Sequence, residues 1–286
     1  MIKKNNKYKI SDIQSLKNSK NPFATVTVYD FPSSKIINEL DIPLVLVGDS
    51  ASMVVYGYEN TTRISVDELL LVTKAVSRGA NKPLIVADLP FMSYQPSNSS
   101  AVKNAGRFIK EGRADAVKLE GGIEYIERVK NIIKSGIPVM GHIGLLPQSV
   151  LNKSGYKIQG KTKKSAQKIF DDAIALEKAG VFSVVLEGVP KELAKLITKK
   201  LKIPTVGIGA GADCDGQIQV FHDIIGMFGE NVPKHAKVFV NSQKNIKDSI
   251  KRYIRYVGES EFPNNNHSVS MNSEALRFIT ENFENH

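Results

Sequence analysis

Apolar positions along this chain come in short runs, and nearly every run stops on a charged residue or a glycine. Ala24 to Tyr29 is β-branched and alternating and ends at Asp30, Pro43 to Val47 is apolar throughout and enters Gly48-Asp49-Ser50, and Leu84 to Ala87 ends at Asp88 before Pro90. The pattern repeats in Val117-Lys118-Leu119-Glu120-Gly121-Gly122, in Ile137 to Met140 ahead of Gly141-His142, and in Ser183 to Leu186 ahead of Glu187. Thr205 to Ile208 runs into Gly209-Ala210-Gly211, and Val220 to Ile225 is a weaker eighth run. Short runs that are apolar on both faces predict strands of a parallel sheet covered on both sides.

The intervening segments change to helical spacing. Ile36, Ile37 and Leu40 share one face of Ser34 to Leu40, and Ile126, Val129, Ile132 and Ile133 share one face of Ile123 to Lys134. Ser65 and Glu68 form a capping box that opens a helix reaching Ser77. Ala101 to Glu111, Ser165 to Lys178 and Lys191 to Leu201 complete the set, and Ile10 to Leu16 forms a short helix in a polar leading segment. Eight strands in units of about 30 residues predict a single-domain α/β fold, a closed (β/α)8 TIM-type barrel, over residues 23–268. Residues 1–22 are then a polar, partly helical N-terminal extension and residues 269–286 a polar C-terminal tail. An open Rossmann-type sheet is the second choice, because Gly207 to Gly211 lacks the spaced dinucleotide fingerprint and sits late in the chain. Residues 143–164, with Gly155, Tyr156 and Gly160, make a polar connection longer than packing requires and are expected to be a lid or substrate loop.

Composition narrows the function without naming it. The chain has 286 residues, 42% apolar and 24% charged, enough for a sizeable core. No apolar run approaches the roughly 18 residues of a membrane span, and Met1 to Lys7 lacks the apolar centre of a signal peptide. A soluble cytoplasmic protein with no membrane partner is expected. The lone cysteine, Cys214, excludes an internal disulfide and a Cys-rich zinc site, so a metal here must be held by oxygen or nitrogen. The net charge of +10 raises the question of nucleic acid. The lysines are dispersed, however, and Lys161, Lys163 and Lys164 have no interleaved aromatic platform, so no nucleic-acid partner is expected. The basic surface would attract anionic substrates.

In a barrel of this kind the chemistry sits at the C-terminal ends of the strands, which here carry Asp30, Asp49, Asp88, Glu120, His142 and Glu187. One acidic strand end is usually a helix cap or a loop contact. Several converging on one rim repel one another unless a cation or a basic partner lies among them, and with oxygen donors and no thiolate Mg²⁺ is favoured. Lys118 and Glu120 stand two apart and share a face, so their burial is costly unless they pair with each other or hold a ligand.

Seven motifs occur in order: Gly48-Asp49-Ser50, Ala87 to Met92, Val117 to Gly122, Gly141-His142-Ile143-Gly144, Pro147-Gln148-Ser149, Gly155 to Gly160, and Gly207 to Gly211 with Asp215-Gly216-Gln217. Together they closely resemble the ketopantoate hydroxymethyltransferases (3-methyl-2-oxobutanoate hydroxymethyltransferases), from about Phe23 to Ser268. The resemblance implies a (β/α)8 enzyme of pantothenate synthesis, moving a one-carbon unit from 5,10-methylenetetrahydrofolate to 3-methyl-2-oxobutanoate, and a homodecamer. It implies Asp49 and Asp88 as magnesium carboxylates that also contact substrate, and Glu120 as a more distant acidic neighbour of the metal. Ser50 and Lys118 match residues that hold the oxo acid, His142 one lining the same pocket, and Glu187 the proton acceptor. Leu146, Gly188 and His235 depart from the family pattern without touching these positions.

The expected chemistry is an aldol-type addition. Mg²⁺ and Lys118 stabilise the enolate that forms when Glu187 removes a proton from the branched carbon, and the folate methylene is then attacked. A lyase of the phosphoenolpyruvate mutase type would share the barrel and acidic rim, but the cysteine beside a Gly-His pair that such lyases use is missing from this sequence.

Overall fold

Strands β1 (Phe23–Thr27), β2 (Leu44–Val47), β3 (Leu84–Asp88), β4 (Ala116–Glu120), β5 (Val139–Gly144), β6 (Ser183–Glu187), β7 (Thr205–Ile208) and β8 (Gly216–Gln219) pair in sequence order. All pairings are parallel and β8 closes on β1, which makes the expected barrel and excludes the open sheet. This computed structural model describes residues 6–17, 19, 21–149, 158–228 and 232–283. The barrel lies in a compact unit formed by Met1–Ile224 and Val232–Lys237.

The helices of this unit are α1 (Ile10–Gln14), α2 (Phe31–Asn38), α3 (Ala51–Val54), α4 (Val66–Gly79), α5 (Asn98–Lys110), α6 (Ile126–Lys134), α7 (Lys163–Ala179), α8 (Lys191–Lys200) and α9 (Phe221–Ile224). Alternation along each strand divides the apolar residues into two layers. Val45, Val47, Ile85, Ala87, Val117, Leu119, Val184 and Leu186 pack outward in one cluster with Leu69, Val76, Phe108, Val129 and Leu176 of the helices. Phe23, Leu44, Leu46, Leu84, Val86, Ala116, Met140, Phe182 and Val206 fill the interior together with Ile13 of α1.

Helix α1 is therefore a plug at the N-terminal end of the barrel. Just beyond it, Lys17 Nζ reaches Asp215 Oδ2 at 2.9 Å and donates to the carbonyl of Thr198 at 2.5 Å. The Thr205 amide also donates to Asp215 Oδ2, at 2.8 Å. The Asp215-Gly216-Gln217 motif thus begins at the end of the barrel opposite the acidic rim.

The eighth strand was expected at Val220 to Ile225, but it is Gly216–Gln219, and α9 occupies most of the expected run. The alternating buried and half-buried pattern of Gly-Gln-Ile-Gln conceals this strand from a search for apolar runs. Gly216 stands opposite both Phe23 and Val206, where an added Cβ would lie 2.5 Å from the Phe23 ring. No helix separates β7 from β8.

A second compact unit comprises Ile225–Asn231 and Val238–His286, and it contains α10 (Ser242–Gly258) and α11 (Ser273–Phe283). Neither helix has a buried residue. The boundary expected between residues 268 and 269 falls inside this unit. Among the described residues no helix is long and apolar enough to cross a membrane.

Candidate active site

The inward positions that are apolar deep in the barrel turn polar at its C-terminal mouth. Asp49 follows β2, Asp88 ends β3, Lys118 and Glu120 lie on β4, His142 on β5 and Glu187 ends β6. The first five are at most 5% exposed, whereas the Glu187 side chain is 18% exposed. Register sets Asp88 opposite Lys118 and Glu120 opposite His142.

That register decides the pairing of the lysine. Lys118 Nζ lies 2.9 Å from Asp88 Oδ1 and 3.2 Å from His142 Nδ1, so the lysine pairs with Asp88 and not with Glu120. Glu120 instead accepts the Gln148 amide on Oε2 at 3.0 Å, with Oε1 3.6 Å from His142 Nδ1. An ammonium can only donate, so Nδ1 of His142 is an acceptor and the ring proton sits on Nε2. Nε2 is 3.2 Å from Glu187 Oε2, a contact at ion-pair distance whose angle falls short of a hydrogen bond. Burial, reinforced by the Lys118 charge, lowers the His142 pKa, which keeps the ring neutral.

Charge in the mouth is out of balance. Burial, and then the neighbouring Asp88, push Asp49 up to about 7 despite Lys118 and a hydrogen bond from Gln148. Burial and the Asp49 charge hold Glu120 well above the usual carboxylate range. Burial acts to lower Lys118, but Asp88, Glu120 and Asp49 together outweigh it and raise its pKa. One ammonium thus faces Asp49, Asp88, Glu120 and Glu187, an arrangement that favours either protonation or a further cation.

Two observations bear on a metal. Asp88 Oδ1 is buried without a well-directed hydrogen bond although it lies beside Lys118, and the Asp49 amide donates to Asp88 Oδ2 at 2.9 Å, which brings the two residues together. Among the described residues no three His, Cys, Asp or Glu side chains already form a cage around one point. Mg²⁺ commonly takes only one or two carboxylates and completes its shell with water and substrate oxygens, so this donor set fits an open magnesium site.

Ser50 is adjacent, with its hydroxyl 2.7 Å from the buried Tyr29 hydroxyl. Asp30 is not part of the mouth. It caps α2, accepting from the Ser33 amide at 2.7 Å and the Ser33 hydroxyl at 2.9 Å. Of the long connection, residues 150–157 lie outside the described residues, including Gly155 and Tyr156. Its described start is a 3₁₀ turn at Pro147–Ser149, which buries Gln148 among the carboxylates. Tyr29, Tyr94 and Gln148 also reach the mouth, and the glutamine directly after Pro147 is the one signal of this in the sequence. Within the second unit, a hollow of about 290 Å³ lined by Ser249, Arg252, Tyr253, Tyr256 and Phe262 has one cation and no carboxylate to work with.

The model of the family described as ketopantoate hydroxymethyltransferase matches residues 7–265. The chain belongs to this family. It is 50% identical over 267 residues to a 3-methyl-2-oxobutanoate hydroxymethyltransferase of Clostridioides difficile, covering 92% of this chain and 97% of that one. A protein of the same name from Carboxydothermus hydrogenoformans is 48% identical, with 94% and 98% covered. Among solved structures, phosphonopyruvate hydrolase shares the fold with a TM-score of 0.59 at 10% identity, covering 97% of both chains. The 2,3-dimethylmalate lyase of the PEP mutase/isocitrate lyase superfamily does so with 0.56 at 12% identity, covering 96% and 95%. That likeness concerns the fold alone, whereas the hydroxymethyltransferase relatives share half of their residues over nearly the whole length. The chain is a transferase of the pantothenate pathway, and the lyase reading is set aside.

Proposed function

We propose that the barrel mouth transfers a hydroxymethyl group from 5,10-methylenetetrahydrofolate to 3-methyl-2-oxobutanoate, giving 2-dehydropantoate (ketopantoate), with Mg²⁺ as cofactor. The observation that carries this reading is the buried cluster of Asp49, Asp88, Lys118, Glu120 and His142 with Glu187 at its edge, in a chain of this family. Asp49 and Asp88 are the proposed metal ligands, with Glu120 as a third, more remote carboxylate. Bound there, Mg²⁺ would supply Lewis-acid polarisation of the ketone. Lys118, anchored on Asp88, offers fixed positive charge to the carboxylate or to the oxygen that becomes negative, and being held in place it reorganises little. Asp49, Ser50, Asp88, Lys118 and His142 line the oxo-acid pocket.

Glu187 is the proposed base. It is the most exposed carboxylate of the cluster and is set apart from the Asp49–Asp88 pair by two intervening strands, so it is available to take the proton from the branched carbon. Nε2 of His142 lies 3.2 Å from its Oε2, which places the imidazole beside the proposed base. The carbon nucleophile then bonds to the folate methylene, tetrahydrofolate leaves, and water supplies the hydroxyl oxygen. The same family membership supports a cytoplasmic homodecamer without nucleic-acid or membrane partners.

The test is formation of 2-dehydropantoate from the two substrates with and without Mg²⁺, joined to exchange of the branched-carbon hydrogen in D₂O followed by NMR without folate. Wild-type exchange should depend on Mg²⁺, and Glu187→Gln should lose it by about 100-fold or more while still binding the oxo acid. Exchange at the wild-type rate in Glu187→Gln would move the base elsewhere, to His142 first.

A further inference from the structure

Gln148 is used by none of the roles above, yet its hydrogen bonding is complete. Its Nε2 donates to Asp49 Oδ2 at 2.8 Å and to the carbonyl of Leu89 at 2.9 Å, which occupies both amide protons. Its Oε1 accepts from the Tyr94 hydroxyl at 3.0 Å and from Gln95 Nε2 at 3.2 Å. These partners fix which way round the amide lies. Turned over, its oxygen would face two acceptors at Asp49 and Leu89, and its nitrogen would face the Gln95 donor. The backbone amide of Gln148 donates to Glu120 Oε2 at 3.0 Å. One residue therefore grips a carboxylate oxygen from the end of β2 and another from β4, across the intervening β3 that carries Asp88. Among the described hydrogen bonds, only Gln148 joins the Asp49 and Glu120 carboxylates.

Chemistry explains why a glutamine suits this place. A lysine or arginine here would neutralise Asp49 and compete with an incoming cation, and a carboxylate would add to the repulsion already present. A neutral amide donor fixes one oxygen of Asp49 and leaves Oδ1 without a donor among the described residues. Tyr94 in turn ties Gln148 to the β4 backbone, because its hydroxyl accepts the Glu120 amide at 3.2 Å and shares its own proton between the Glu120 carbonyl and Gln148 Oε1. Tyr94 is 1% exposed and Gln148 4%, so water does not compete for these bonds.

We infer that Gln148 is a positioning residue that sets the carboxylate rotamers of Asp49 and Glu120, and through them the affinity of the mouth for a divalent cation. The inference rests on the reading of Asp49 as a metal ligand. Groups behind metal ligands are commonly worth about 10- to 100-fold in metal affinity. Gln148→Met keeps the length and bulk of the side chain but removes both donors and the acceptor, while the backbone bond to Glu120 can still form.

The experiment is titration of the full-length protein with Mn²⁺, followed by the paramagnetic resonance signal of the free ion, for wild type, Asp49→Asn, Gln148→Met and Tyr94→Phe. Gln148→Met should weaken Mn²⁺ binding by about 10-fold or more, Tyr94→Phe should weaken it less, and saturating metal should restore much of kcat in both. Gln148→Met that binds Mn²⁺ like wild type, beside an Asp49→Asn that binds it poorly, would overturn the inference. A wild type that takes up no Mn²⁺, or an Asp49→Asn that binds as well as wild type, would overturn the underlying metal assignment instead. Should Gln148→Met fail to fold, Tyr94→Phe decides: unchanged Mn²⁺ affinity counts against the inference and weakened affinity for it.

Discussion

At the scale of single residues, Lys118 carries the most charge compensation in the mouth. Its ammonium touches Asp88 and His142, and the carboxylates around it raise its pKa against the effect of burial. Lys118→Met keeps the apolar stem but leaves Asp88 buried without its ion-pair partner, a change that typically costs about 3–5 kcal/mol. It also removes the donor that sets the His142 tautomer. Thermal denaturation should therefore show a lower Tm, and kinetics on the folded enzyme at saturating Mg²⁺ a fall in turnover or in oxo-acid affinity. A variant with reduced Tm but normal kcat and KM would make Lys118 a purely structural cation. The residue scale also shows what strand-end reading overcounts. Asp30 and Asp88 both follow apolar runs, yet Asp30 is spent on the α2 cap and Asp88 faces the lysine. The local sequences Asp30-Phe31-Pro32 and Asp88-Leu89-Pro90 are alike, but β1 already ends at Thr27 and leaves Asp30 at the start of α2, whereas Asp88 is the last residue of β3.

At the scale of elements, glycines let the ends of β4 and β5 approach their neighbours. Gly144 closes β5 with φ +102°, and an added Cβ would lie 2.2 Å from the Glu187 carbonyl. Leu145 donates its amide to that same carbonyl at 2.7 Å, so the β5–β6 junction carries the proposed base. Gly144→Ala should lower stability by about 1–3 kcal/mol from backbone strain alone. It should also reduce turnover more than Mn²⁺ affinity, since it displaces Glu187 and leaves Asp49 and Asp88 in place; urea denaturation and metal titration of one preparation separate the two effects. Unchanged stability would mean that the junction yields without strain. Gly122, the second glycine after β4, has a different reason. An added Cβ there would lie 2.1 Å from the Asp172 side chain, whose carboxylate accepts the Ile123 amide at 3.0 Å and so fastens the loop after β4 to α7.

At the scale of the whole molecule, α10 exposes Ile246, Ile250, Tyr253, Ile254 and Val257, and α11 exposes Leu276, Phe278, Ile279 and Phe283. Apolar faces of this kind commonly mark association surfaces, and a second copy of the chain is the occupant that the proposed homodecamer requires. Light scattering should give ten times 31.5 kDa, about 315 kDa, and Ile250→Lys with Ile254→Lys should lower that mass. A wild type with the mass of one chain would refute the decamer. Much of this molecule was determined locally. The barrel was legible because each strand that is buried on both faces must be a short apolar run, and each amphipathic helix must repeat at 3.6 residues; the Ser65–Glu68 capping box was readable for the same reason. The positions of Asp49, Asp88, Lys118, Glu120, His142 and Glu187 at strand ends were equally a property of the sequence. Partnership was decided only by the closed sheet. Register, which depends on how whole strands pack, gave Lys118 to Asp88 rather than to Glu120, and hid β8 in an alternating Gly-Gln-Ile-Gln. It also brought Gln148 from the turn after β5 back over β4 to β2, a contact that spans 99 positions of sequence and that no local pattern encodes.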